Sequence, residues 1–246
     1  MSKKLFFFGM AVLAIALLAV TSCDRNNPLD SAQDLNISEP SGTTESLAIE
    51  DPQGREPPTT SGATTWPRSM ADFKLPFQGV YNNYYTGPIW RITCGYNTYP
   101  YHVHNWYSEG AGKYSIDLIR YGSQSLGQWV LAPARGVVIY AGWKSGYGWC
   151  VVMDHDNGNT GKGYTSIVAH LHSNPTQYVH VGNDLLQGTV LGKCGASGGN
   201  WPAHIHFSVW KNDFSVPLNG LSGGPSLIVG GLYRSGNALV PPPYGW

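Results

Sequence analysis

The chain has 246 residues and no net charge, and only 12 % of them are Asp, Glu, Lys or Arg, about half the usual share. With 42 % hydrophobic residues, it is too apolar for disorder throughout and too sparsely charged for a coiled coil. Its 31 glycines follow no three-residue period, which excludes collagen, and abundant Gly, Tyr, Trp and Val favour strands and turns. All eight histidines lie between His102 and His206.

The N-terminus reads as a targeting segment. Lys3 and Lys4 precede an uncharged run, Leu5–Val20, which is shorter than the ~20 residues of a membrane span. The run ends Val20-Thr21-Ser22-Cys23 and resembles a bacterial lipoprotein signal. The resemblance implies cleavage before Cys23 and several acyl chains there, enough for firm anchoring. Residues 24–72 carry nine acids against Arg25, Arg55 and Arg68, a balance of −6, within a Ser/Thr/Pro-rich stretch without hydrophobic period. Residues 23–72 are expected to be a disordered tether with a reach of roughly 40 Å.

Residues 73–246 remain for one folded domain. They hold six acids and ten bases, about +4, which suits an anionic polymer but is too little to argue nucleic-acid binding. A monomer is expected. Cys94, Cys150 and Cys194 lie in this part, and in an exported protein one disulfide and one free thiol are expected among them, with the pairing open. No Cys-x-x-Cys pair is present, so a structural zinc knuckle is not expected.

Strands are predicted at Tyr114–Ile119, Gly136–Ala141, Trp149–Asp154, Tyr164–His172 and His204–Trp210, short β-branched and aromatic runs between Gly, Asn and Pro turns. No 3.6-residue period appears beyond the signal. The expected architecture is mainly antiparallel β, with residues 211–246 as an extended wrap or loop. Because strand side chains alternate, His204 and His206 share one face while Ile205 and Phe207 share the other. His170 and His172 form a second alternating pair. Asp117 sits mid-strand between Ile116 and Leu118, where a carboxylate is costly unless paired or metal-bound. Neutral imidazoles with one carboxylate suit Zn²⁺ with one position left for water.

The segments YSIDL, LAPARGVVIYAG, GYGWCVVMDH, IVAHLHS and PAHIHFSVW occur in the order of the lysostaphin/LytM-type zinc endopeptidases, and the resemblance covers about 73–215. It implies an antiparallel β-sheet groove domain, a single zinc, and hydrolysis of peptide bonds in peptidoglycan at the bacterial cell envelope. His206, the second His of His-x-His, then corresponds to a zinc ligand and Asp117 to the carboxylate ligand. Short-loop members place the other ligand four residues before that Asp, where Lys113 stands here. Longer-loop, LasA-like members place it about a dozen residues earlier, which selects His104, with His102 as competitor. His170 and His204 take the positions of catalytic histidines. Trp201 replaces a small residue, which narrows the groove, and Pro202-Ala203 stands where Gly-Pro is usual.

The remaining motifs read more plainly. His155 is expected to be structural, Asp154 and Asp156 to form a turn rather than a calcium loop, His172 to be a bystander and His180 to be exposed. Trp106, Tyr107, Trp129, Trp143, Tyr147, Trp149 and Trp201 are candidates for lining a groove, although packing accounts for at least half of them. Glu109 is the only Glu after residue 72 and no His-Glu-x-x-His occurs, which excludes a glutamate base on a thermolysin-like helix. The scarcity of acids also disfavours a glycosidase, which needs two opposed carboxylates. The alternative reading is a catalytically silent envelope module that binds peptidoglycan or regulates other wall hydrolases; the filled motif positions favour activity.

Overall fold

The computed structural model describes residues 65–81, 86–103, 112–156, 163–221 and 227–243. The signal, Cys23 and the tether as far as Thr64 lie outside the described residues, as do His104, Trp106, Tyr107 and Glu109.

The domain is antiparallel β-sheet, as the alternating patterns require. Its strands are β1 (Trp90–Cys94), β2 (Ile116–Arg120), β3 (Trp129–Leu131), β4 (Gly136–Lys144), β5 (Gly148–Asp154), β6 (Tyr164–Leu171), β7 (Asp184–Leu185), β8 (Val190–Lys193), β9 (Ile205–Lys211), β10 (Phe214–Ser215) and β11 (Leu232–Tyr233). The main sheet runs β11-β1-β2-β9-β6-β5-β4-β7, with β10 folded back on β9, and β3 pairs with β8 as a small second sheet. Among the described residues no helix is long and apolar enough to cross a membrane.

One face of the central strands forms the core. Ile116 and Leu118 of β2, Ile205, Phe207 and Val209 of β9, and Val168 of β6 pack with Phe77, Trp90 and Leu131, all essentially without exposure. Each such side chain contributes about 1.5–3 kcal/mol by leaving water. The intervening residues, Asp117 and His206, are thereby turned to the opposite face.

The chain packs on the domain before residue 73. Ser69 and Arg68 donate backbone N–H bonds to Asp72 Oδ2 at 2.9 and 2.8 Å, closing a short 3₁₀ turn. Gln187 Nε2 donates to the Asp72 carbonyl (2.8 Å), and the Arg135 guanidinium lies 4.8 Å over the Trp66 ring. Apolar anchors inside a polar stretch mark this entry, and composition averages them away. At the other end the expected wrap is present. Leu232 and Tyr233 pair with β1, Ser235 Oγ donates to the Leu75 carbonyl (2.7 Å), and Asn237 Nδ2 donates to that of Ala132 (3.0 Å).

The cysteines correct the expected split of one disulfide and one free thiol. Cys94 is disulfide-bonded, whereas both Cys150 and Cys194 are free and buried. Burial pushes the Cys150 thiol up to about 12 and the Cys194 thiol higher, so both behave as small apolar residues.

Candidate metal centre

Asp117 and His206 face each other directly across β2 and β9. Asp117 Oδ1 lies 2.9 Å from His206 Nδ1, 3.4 Å from His102 Nε2 and 3.8 Å from His204 Nε2. The register puts three of these groups on one sheet face. His102 comes from the loop after β1, where its backbone N–H donates to the Thr98 carbonyl at 2.7 Å.

His170 reaches the same space by a different device. Between the pairs Val151–Val168 and Trp149–Leu171, β6 has one residue more than β5. His170 lies in this bulge with φ of 59°, the left-handed region that a non-glycine residue occupies only when its surroundings require it. Its ring centroid stands 4.5 Å from that of His204 and 5.7 Å from that of His206.

Backbone carbonyls fix the proton on three of the rings. Nδ1 of His102 donates to Gly95 (2.9 Å), that of His170 to Ser197 (2.8 Å) and that of His204 to Pro202 (2.8 Å). A carbonyl only accepts, so each neutral ring keeps its free lone pair on Nε2. His206 is reversed, with Nδ1 toward Asp117 and a buried Nε2 that has no hydrogen-bond partner among the described residues.

The charges are tightly balanced. Burial opposes ionisation of Asp117, yet His102 and His204 hold its carboxyl well below the usual carboxylate range. Burial likewise favours neutral His102, but Asp117 overrides it and raises its pKa. His206 and His170 are shifted downward chiefly by burial, with His170 reaching about 3 under added repulsion from His204 and His206.

The donor set fits zinc. Donors 2.0–2.2 Å from a tetrahedral ion lie roughly 3.3 Å apart, and the two nitrogens nearest Asp117 Oδ1 bracket that spacing at 2.9 and 3.4 Å. His102 also has the Nδ1–H-to-carbonyl support that orients a ligating imidazole. Cys94, His102 and Asp117 have potential donor atoms within 4.8 Å of one another. The Cys94 sulfur, however, is committed to a disulfide and has no thiolate to offer.

The structure thus joins His206, Asp117, His170 and His204, four of the five residues singled out by sequence, and adds His102. His104 lies outside the described residues. Of the candidate groove aromatics, Tyr147 meets the His206 ring (5.4 Å) and Trp201 the His170 ring (4.8 Å). Trp129 instead packs on Tyr178, and Trp143 and Trp149 pack on each other. His172 and His180 are exposed. His155 is buried, its Nδ1 donating to the Arg135 carbonyl (2.7 Å) and its Nε2 accepting from Ser166 Oγ (2.8 Å).

The antiparallel sheet and its loops thus gather four imidazoles and one carboxylate in one place. Residues 116–218 match the model of Peptidase family M23, the stretch that holds most of the lysostaphin/LytM-type motifs. Among solved structures, a putative peptidase M23 from Pseudomonas aeruginosa is similar at 23 % identity and TM-score 0.43, with 66 % of this chain and 55 % of that chain covered. A zinc-containing peptidase from Vibrio cholerae is similar at 20 % identity and TM-score 0.41, covering 62 % and 41 %. Lysostaphin from Staphylococcus simulans is similar at 22 % and 0.39, covering 52 % and 47 %. The chain therefore spans about half the length of these relatives or less. Comparison with curated proteins gives no significant match.

Proposed function

We propose that this chain is a zinc-dependent endopeptidase of the bacterial envelope that cuts peptide bonds in peptidoglycan cross-links or stem peptides. The observation that carries the proposal is the convergence of His102 Nε2 and His206 Nδ1 on Asp117 Oδ1. His102, Asp117 and His206 hold the ion, with His102 taking the upstream position for which sequence favoured His104. With two neutral imidazoles and one carboxylate around it, zinc bound there would keep a net charge of +1 and would supply a water of pKa lowered toward ~7 and a polarised carbonyl.

The chain's own groups move the proton. His170 Nε2 is the free lone pair of a ring whose other nitrogen is tied to Ser197, and it acts as general base. His204, held by the Pro202 carbonyl, presents Nε2 to the same space and shares the proton work with His170. Trp201 and Tyr147 flank these rings and shape the entrance for the peptide.

The lipoprotein-like signal supports an envelope location, with lipidated Cys23 as the anchor and residues 24–72 as the tether that reaches the wall polymer. Digestion of purified peptidoglycan with and without a chelator, read by mass, tests the activity. New amino groups that disappear with chelator are expected. New reducing ends would indicate a glycosidase instead, and binding without products would indicate the silent module.

A further inference from the structure

At the opposite end of β6 from His170, the turn after β5 contains two carboxylates that the hydrolytic centre does not use. Asp154 is 1 % exposed. Its Oδ1 accepts the Asp156 backbone N–H at 3.0 Å, so the expected turn is present. Among the described residues, the other three oxygens, Asp154 Oδ2 and both of Asp156, are buried and have no hydrogen-bond partner. The two carboxyl groups lie within hydrogen-bonding reach of each other, although neither carries a donor when ionised. His155 between them does not help, because Arg135 and Ser166 occupy both of its ring nitrogens.

The backbone is cut to admit this pair. A Cβ at position 163 would fall 2.0 Å from Asp156 Cβ and 2.9 Å from its Oδ2, so only glycine there leaves room for the carboxylate. Two buried carboxylates facing each other are costly unless a proton or a cation lies between them.

We infer that Asp154 and Asp156 bind a hard divalent cation, Ca²⁺ or Mg²⁺, at the β5–β6 turn, separate from the histidine centre. An all-oxygen donor set selects such ions over zinc. Ca²⁺ accepts irregular oxygen cages, whereas Mg²⁺ keeps most of its waters, so the two are compared directly. The site does not depend on the proposed hydrolytic activity.

The test uses the full chain, stripped of metal and dialysed, then titrated separately with CaCl₂ and MgCl₂ at neutral pH by calorimetry and thermal melting. One cation per chain and a Tm that climbs with its concentration are expected. Asp154→Asn and Asp156→Asn should abolish both signals while zinc uptake at the histidine centre persists. Asp156→Ser repeats the test if either amide variant fails to fold, and Asp117→Asn should leave the Ca²⁺ or Mg²⁺ signal intact. Absence of cation-dependent heat and Tm shift in the parent chain, or their survival in the variants at Asp154 and Asp156, would overturn the assignment.

Discussion

Asp117 and His206 stand opposite one another on adjacent antiparallel strands, with Oδ1 of the first 2.9 Å from Nδ1 of the second. A strand pair brings directly opposed side chains this close without help from any loop, so the sheet itself sets half of the metal centre. Asp117→Ala and His206→Ala should each lower zinc affinity by more than the 10–100-fold that loss of an outer-shell partner costs. Metal analysis of the dialysed variants checks this, and zinc retained at one equivalent would remove either residue from the ligand set.

His102, proposed as the third ligand, comes from the loop after β1, where spacing is a poor guide. His102→Ala should lose zinc as Asp117→Ala does, and His104→Ala should keep it. The reverse result would return the role to His104.

Cys94 lies beside the metal centre, its sulfur 3.7 Å from His102 Nδ1 and committed to a disulfide. Cys94→Ser should bind zinc as the parent does. Loss of zinc in that variant would make the sulfur a ligand.

Much of this centre was legible because a strand has a period of two. Asp117 among apolar neighbours and His204-Ile205-His206 announce a polar face on β2 and β9, and both strands lie within two residues of their expected bounds. His170 was found by motif, but its aim depends on an extra residue in β6 and a positive φ that no pattern of hydrophobicity reports. His102 and His104 have the same side-chain chemistry, and the Gly95 carbonyl that orients His102 becomes its neighbour only through folding. The entry of the domain was missed for a similar reason, because Trp66 acts as a single anchor within a polar segment.

Acid should weaken the fold through His155. Burial depresses its pKa from the ordinary 6.5 to about 4. Between those values the unfolded chain takes a proton that the folded chain refuses, so stability is full above 6.5 and falls as pH drops toward 4. The gap amounts to about 3 kcal/mol. Denaturant unfolding of the metal-free chain across this range should show a steeper decline than in His155→Gln, whatever the difference in their absolute stabilities. His170 and His206, whose shifts have the same sign, should add to the remaining slope. Parallel profiles for parent and variant would show that His155 is not the group responsible.

The orientation of His170 rests on two glycines. Gly148 has φ of 63°, and a Cβ there would fall 2.3 Å from the carbonyl carbon of Ser197; Gly198, with φ of 93°, would meet Gly148 N at 2.4 Å. This close crossing holds Ser197, whose Oγ accepts from Trp149 N (2.9 Å) and donates to the Leu171 carbonyl (2.7 Å). Its own carbonyl takes the His170 Nδ1 proton. Gly148→Ala must push Ser197 aside and turn the imidazole with it, and a misplacement of about 1 Å at a catalytic group can cost ~10²-fold. The expected result on a soluble peptide substrate is a kcat lowered toward that extent, with zinc content unchanged and KM little altered. Gly122→Ala is the control, since Gly122 also has positive φ (71°) but nothing within 4 Å of a new Cβ. It should cost some stability through backbone strain and leave kcat intact. Equal losses of kcat in the two variants would mean that strain, and not the Ser197 contact, is what His170 depends on.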